Sequence, residues 1–334
     1  MGNYIETLTD IGHSPLLLKR VCVLPFSGRV LGLYPREGLN VLWTHPALNS
    51  AASARSLLTG GGWTNLGGDR TWVSPEVELF ISDLSRPMET YKVPRNLDPA
   101  DYRVLSHSAE AVEMETGVAV DFYQSGCRAE LSLRKRIAEL AAPDFPLPTG
   151  VAAAGYELTC TLSGAGSLPD ALRPAVWNLL QVPGGGEILV PFKGPAAPIR
   201  YFGRQQSRQN GDRLYASVPV ASEGYKFGVL ADQCRGFMLY LNFSAPQPYL
   251  IHRRFAVGSR DQYFDAPFGD VHQRGVVQQV YIDDGTHGGF GEMEHHSPAL
   301  VPGANARVTD VCTTWAFAGP VEALRELAEN YLGG

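Results

Sequence analysis

The 334-residue chain contains no run approaching the roughly 18 apolar residues that cross a bilayer as a helix, so no membrane span is expected. Its start, Met1 to Asp10, lacks the basic and then apolar regions of an export signal, and Glu6 stands where a myristoylation site needs Ser or Thr. Five cysteines, Cys22, Cys127, Cys160, Cys234 and Cys312, form an odd set without a close pair. They neither staple a secreted domain nor build a zinc site, and free thiols in a cytoplasmic protein are the expectation. Positive charge is also short: 28 Lys and Arg stand against 34 Asp and Glu, with no basic patch. Nucleic acid is therefore not an expected partner. Gly164-Ala165-Gly166 is followed by Ser-Leu-Pro and lacks the third glycine of a dinucleotide fingerprint. No Gly-Lys-Ser/Thr closes a phosphate loop, no Gly-x-Ser-x-Gly elbow occurs, and no cofactor is expected.

Helical periodicity is scarce as well. A composition of 44% hydrophobic and 19% charged residues is that of a globular protein. Short β-type runs punctuated by Gly, Pro and Asp recur from Arg20 to Phe317, which predicts an all-β fold. Among the expected strands are Arg20–Pro25, Arg29–Tyr34, Asn40–Trp43, Thr71–Ile81, Ala175–Gln181, Lys226–Leu230, Tyr249–Val257, Val276–Ile282, Gly289–His296 and Arg307–Phe317. Asp284-Gly285 is a turn signal between two of them. After Pro320, Val321, Leu324, Leu327, Ala328, Tyr331 and Leu332 recur with helical spacing, so residues 320–332 are expected to form one amphipathic helix. A weaker helical pattern covers Tyr4 to Ile11. The Pro- and Ala-rich stretch Leu140 to Ala153 separates segments that are equally β-rich, so residues 1–334 are taken as a single domain.

What is plentiful is glycine beside aromatic and charged residues. Gly60 to Glu76 holds Trp63, Asp69, Arg70, Trp72 and Glu76 among its glycines. Indole rings match the apolar faces of a pyranose and a guanidinium matches its hydroxyls, so this mixture points to a saccharide site; a Gly-rich turn whose tryptophans fill a core is the competing account. Near the other end, strand alternation places Glu292, Glu294 and His296 on one face and Met293 and His295 on the other. Paired carboxylates raise the pKa of at least one partner and suit a proton carrier, although a solvent-facing polar face would read the same way. The adjacent histidines point apart, and no His-x-His precedes them in an earlier strand, so no metal site is expected. Trp177, Leu179 and Gln181 share one face as an aromatic platform beside an amide. Lys226 lies among apolar residues, where burial would lower its pKa, and His252 precedes Arg253 and Arg254 on another strand.

The order of these segments resembles the galactose-mutarotase-like (aldose 1-epimerase-like) superfamily, in particular its bacterial branches. Gly28 to Leu33 followed by Leu39 to Trp43 is similar to the opening strands. The block Gly67-Gly68-Asp69-Arg70-Thr71-Trp72-Val73-Ser74-Pro75-Glu76 resembles the place where such proteins carry a substrate-binding Arg. Trp177 to Gln181, then Val190-Pro191 and Tyr225 to Gly228, look like the middle of the pattern. Gly291 to Pro298 with Leu300-Val301-Pro302-Gly303 is similar to an ending in which a catalytic Glu precedes the last strand. The resemblance implies a β-supersandwich with a sugar-sized groove on a concave sheet. It implies Arg70 as the substrate-binding Arg and Glu294 or Glu292 as the base; Asp69, Trp72, Glu76, Trp177 and Gln181 are substrate-binding candidates from the residues themselves. One departure is that the histidine that protonates the ring oxygen in the family has no counterpart in Trp177 to Gln181, leaving Lys226 or His252 as candidate acid. The expected partner is a small carbohydrate, acted on by epimerase-type proton transfer. A binding protein without turnover, or a lyase acting on a uronate-containing sugar, are the alternatives; neither the sugar nor the oligomeric state follows from the residues.

Overall fold

A computed structural model describes residues 4–164, 168–219, 223–303 and 306–333; Met1 to Asn3, and Ala165 and Gly166 of the incomplete dinucleotide motif, lie outside them. Two antiparallel sheets make up most of the molecule. The first has nine strands in the order Leu16–Leu17, Val21–Leu24, Arg29–Leu33, Asp69–Ser74, Ala175–Pro183, Phe290–His296, Val276–Ile282, Tyr225–Leu230 and Ile199–Phe202. The second has ten, in the order Ser207–Asn210, Arg213–Val218, Gly186–Pro191, Phe237–Asn242, Tyr249–Phe255, Arg307–Ala318, Ala152–Gly164, Cys127–Leu140, Ala111–Phe122 and Arg103–His107. This is the all-β fold with a C-terminal helix that the strand and helix patterns predict, arranged as the sandwich that the family resemblance implies.

Alternation along each strand sends one set of side chains between the sheets and the other set outward. From the first sheet Val73, Val176, Leu180 and Val280 join the main core, where Ile137, Leu158, Leu162 and Met238 are also found. The helix Val321–Gly333 buries Leu324, Leu327, Ala328 and Leu332 with Leu189, Leu239, Leu250 and Phe317 of the second sheet. At the other end Tyr4–Asp10 packs with Cys22, Leu24, Leu31 and Leu48 in a smaller cluster. The strands Val276–Ile282 and Phe290–His296 are joined through Asp284-Gly285 as expected, but by a connection of residues 283–289 in which Gly285, at φ +97°, and not Asp284 takes positive φ.

Some local expectations fail for identifiable reasons. The run Thr71–Ile81 is not one strand: pairing ends at Ser74, and after Pro75 the chain turns into the short helix Glu76–Leu79. Asn40–Trp43 is not a strand either, because the Asn40 side chain takes the ladder's place, accepting from the Leu33 and Leu42 amides and donating to the Leu31 carbonyl. Within Thr44 to Asn65, which shows little regular patterning, Ala51–Thr59 is helical, with the Ser50 side chain accepting from the Ser53 amide as an N-cap. Gly67 and Gly68 have φ of +94° and +75°, and a Cβ on Gly68 would stand 2.2 Å from the Val30 carbonyl oxygen. They let one backbone pass close to another rather than to a ligand.

Candidate functional site

On the outward face of the first sheet lies a cavity of about 790 Å³, within the size range of small-molecule sites. Its lining includes Arg70 and Trp72, Trp177 and Leu179, Glu292 and Glu294, and Lys226, contributed by adjoining strands. Register explains the convergence: Arg70 pairs with Leu179, which in turn pairs with Glu294, and Trp72 pairs with Trp177. The segments 61–64 and 88–99 line it further, with His287 beside Trp63.

The floor is a chain of acids and bases with almost no exposed surface. Arg70 Nη1 lies 2.7 Å from Glu292 Oε1, its guanidinium centre is 4.2 Å from the Trp72 ring and 5.0 Å from that of Trp63. Glu292 also accepts from Gln181 Nε2 at 2.8 Å. Behind Arg70, Asp98 anchors the tryptophans: it accepts from Trp63 Nε1 at 2.8 Å, Trp72 Nε1 at 3.0 Å and Arg29 Nη2 at 2.6 Å. Glu294 Oε2 accepts from Trp177 Nε1 at 2.9 Å and faces Lys226 Nζ at 3.2 Å. Lys226 reaches Glu76 Oε2 at 3.0 Å and stands 4.5 Å from the Trp177 ring centroid. Tyr91 donates to Glu76 Oε1 at 2.9 Å. The other oxygen of Glu294, Oε1, is buried without a hydrogen-bond partner. Buried polar atoms are nearly always paired, so an unpaired carboxylate oxygen on a residue of the cavity lining marks where a ligand's hydroxyl would bond.

Burial raises the Glu294 carboxyl to about 8, the Glu292 and Glu76 charges adding to it and the Lys226 ammonium opposing it. Glu76 is raised for the same first reason, with Lys226 opposing and Asp265 adding. Lys226 departs from expectation. Burial does pull it down, but Glu294, Glu76 and Asp265 together outweigh that and leave it above the ordinary lysine value. It is a firm ammonium rather than a softened one.

Several sequence-based candidates sit differently from what their strands suggested. Asp69 points between the sheets, opposite to its neighbour Arg70, and takes Arg253 Nη1 at 2.7 Å, Arg253 Nη2 at 3.1 Å and the Tyr156 hydroxyl at 2.6 Å. It cannot touch a ligand in the cavity. His252 is on the second sheet, stacked on Tyr331 at 3.9 Å and pushed down to about 3, first by burial and then by Arg254. It is remote from Glu294 and neutral, so it is not the acid. Gln181 stands behind Glu292 and is fully buried. The Glu292, Glu294 and His296 face is not solvated: every residue of Phe290–His296 is buried. Gly288 and Gly291 approach Trp43 and Val218 rather than open space.

Residues that the sequence did not single out complete the site. Tyr91, Asp98 and His287 come from loops, where no periodicity marks a side chain as inward. Asp265 accepts from Tyr201, Gln279 and the Glu76 amide at 2.8, 2.5 and 2.6 Å. On the reverse of the same strands His295 pairs with Asp310 at 2.9 Å, and Asp310 accepts from Asn178 at 2.7 Å. Asp310 and Cys312 are the only potential ligands near His295 among the described residues, and Arg253 Nε lies 3.5 Å from its ring; a cation there would face a guanidinium.

No protein-family model matches the chain, and no curated protein matches it. Solved structures do. A putative aldose 1-epimerase from Escherichia coli K12 superposes with a TM-score of 0.54 at 10% identity, over 91% of this chain and 99% of that one. A galactose mutarotase related enzyme from Lactobacillus acidophilus superposes with a TM-score of 0.50 at 9% identity, over 90% of this chain and 96% of that one. At such identities the likeness establishes the architecture, which is galactose-mutarotase-like.

Proposed function

We propose that the cavity binds a pyranose sugar or sugar derivative and that the protein transfers protons at its anomeric centre, as an aldose 1-epimerase-type isomerase does. The observation that carries this reading is the meeting of Arg70 and Glu294, far apart in sequence, in one indole-walled cavity where Glu294 Oε1 has no protein partner. Trp63, only partly buried, keeps ring surface for the apolar side of a sugar, Trp72 and Trp177 are buried in the core behind it, and Arg70 between Trp63 and Trp72 offers donors to hydroxyls. The architecture shared with proteins described as a putative aldose 1-epimerase and a galactose mutarotase related enzyme supports it.

In this mechanism the Glu294 carboxylate takes the proton of the C1 hydroxyl while the C1–O5 bond breaks and O5 acquires a proton. The open-chain aldehyde then turns about C1–C2 and recloses on its other face. Positioned acid and base groups each contribute about 10²- to 10⁴-fold to such transfers. Glu292 is held by Arg70 and Gln181 and fixes the guanidinium, whereas Glu294, held through Oε2 by Trp177 and Lys226, keeps Oε1 without a protein partner. Glu76, Glu292, Glu294 and Asp98 on the lining disfavour a further carboxylate, which speaks against the uronate lyase. Binding without turnover keeps one specific support: Lys226 contacts Glu294 itself, so it cannot also stand across the ring as the acid.

Anomer exchange of freshly dissolved α-aldohexoses, followed by NMR with and without protein, tests the assignment. Glu294→Gln should abolish exchange while calorimetric sugar binding persists. Exchange that survives in both Glu294→Gln and Glu292→Gln would sink the acid/base assignment, and calorimetric binding with no exchange at any pH would leave the binding protein.

A further inference from the structure

We infer that Tyr91 is the proton donor on the opposite side of the bound ring, reloaded from Glu294 through Lys226 and Glu76; this rests on the proton-transfer reading above. The four groups all line the cavity and form one unbroken chain of contacts. Glu294 Oε2 is 3.2 Å from Lys226 Nζ, Lys226 Nζ is 3.0 Å from Glu76 Oε2, and the Tyr91 hydroxyl is 2.9 Å from Glu76 Oε1. Glu76 uses one oxygen for each neighbour, so its carboxylate is the bridge. Its place is set by its own amide, which donates to Asp265 Oδ1 at 2.6 Å at the start of the helix Glu76–Leu79. Tyr91 is steadied by its ring stacking on Phe80 at 5.6 Å and by backbone pairing with Ile81, and it is a partly buried residue of the cavity lining.

A hemiacetal opens only if one group removes the O1 proton and another supplies O5. Lys226 is bound to the base, His252 is on the other sheet, and His296 is buried and neutral, pushed down to about 4 chiefly by burial. Tyr91 is the hydroxyl that both reaches the cavity and connects back to the base.

The protons balance around the chain. Glu294 takes the O1 proton as C1=O forms and C1–O5 breaks, and Tyr91 gives its hydroxyl proton to O5. As Glu76 passes a proton to the phenolate, Lys226 hands one to Glu76 and takes the one now on Glu294 in the same movement, so the ammonium is not left neutral. The resting state returns, with one proton moved from O1 to O5. Burial and then the Glu76 charge hold the Tyr91 hydroxyl above its ordinary value, so it is protonated at rest. Burial likewise raises both carboxyls above the ordinary glutamate value, Glu294 to about 8.

The test uses the full chain and the α-anomers of D-glucose, D-galactose and D-mannose, with Tyr91→Phe, Glu76→Gln, His287→Gln and Glu294→Gln compared by exchange NMR. Tyr91→Phe should lower kcat by about 100-fold or more with KM within about threefold, since the proton-donating hydroxyl is lost while the ring that packs on Phe80 is kept. Glu76→Gln should lower kcat similarly, and the double variant should be no worse than either alone, because the groups act as one unit. Matching thermal melting of Tyr91→Phe and the parent excludes a folding defect. Near-parental kcat in Tyr91→Phe with Glu294→Gln inactive overturns the relay and leaves the proposed function standing; so does a kcat loss confined to His287→Gln. No exchange above the spontaneous rate in the parent protein overturns both.

Discussion

Replacing Lys226 with Met is expected to destabilise the protein in a way that depends steeply on pH. The ammonium has 4% of its side-chain surface exposed and lies between Glu294 and Glu76, which have 0% and 5%. Removing one partner from a buried ion pair costs about 3–5 kcal/mol, because the remaining charge is left without compensation. Here two carboxylates lose one shared cation. Both already bind protons more readily than an unfolded glutamate, whose value is near 4.3. A raised carboxyl contributes stability that is fully present below the unfolded value and is lost as pH rises through the folded one. Without the ammonium both folded values climb further, so the loss extends to higher pH, whereas Lys226 in the parent stays charged throughout that range. At pH 9 the full 3–5 kcal/mol is expected; at pH 5, where both carboxyls can be neutral, the deficit should shrink to about 1–2 kcal/mol of lost hydrogen bonding. With about 2.1 cal/mol/K of unfolding entropy per residue, 334 residues convert the pH 9 loss into a fall in Tm of about 4–7 °C. Differential scanning calorimetry of parent and Lys226→Met at the two pH values, with Lys226→Met/Glu294→Gln as control, measures it. A deficit equal at both pH values, or one that grows as pH falls, would refute the argument that buried carboxylates are what the ammonium holds.

Three other outcomes follow from the same geometry. If Glu294 is the base, kcat/KM for anomer exchange should fall as pH drops through about 8, because only the ionised carboxylate accepts the O1 proton; a profile flat from pH 6 to 9 would contradict this. Arg253→Met leaves Asp69 buried and unpaired and should lose about 3–5 kcal/mol by denaturant unfolding, while Arg253→Met/Asp69→Leu should recover much of it. His252→Phe should keep its stack on Tyr331 and leave sugar binding by calorimetry unchanged, and a loss of affinity would reinstate that residue in the site.

The strand content was legible because alternation and turn residues are local properties of the chain. The face of Glu292 and Glu294, the platform of Trp177 and the C-terminal helix all follow from a period of two or of 3.6. Asp69 shows where that reasoning stops. Its neighbour Arg70 carries the same motif, yet the pleat sends one into the cavity and the other onto Arg253, and only knowing which side the second sheet covers tells them apart. Lys226 shows a second limit. Its apolar neighbours in sequence argue for a lowered pKa, while its neighbours in space are carboxylates from residues 76 and 294. Tyr91 and Asp98 lie on loops without periodicity, so nothing in their surroundings along the chain marked them.

By itself, then, the order of residues determined an all-β fold, which side chains share a face along a strand, and a short list of aromatic and ionisable groups suited to a sugar. The tertiary structure decided which members of that list share a cavity, which are sealed between the sheets, and how charge is apportioned among them. The physical reason is range: backbone propensity and side-chain alternation act between near neighbours, whereas burial and Coulomb interaction depend on distances that the sheet register sets between residues more than a hundred positions apart, as for Lys226 and Glu76.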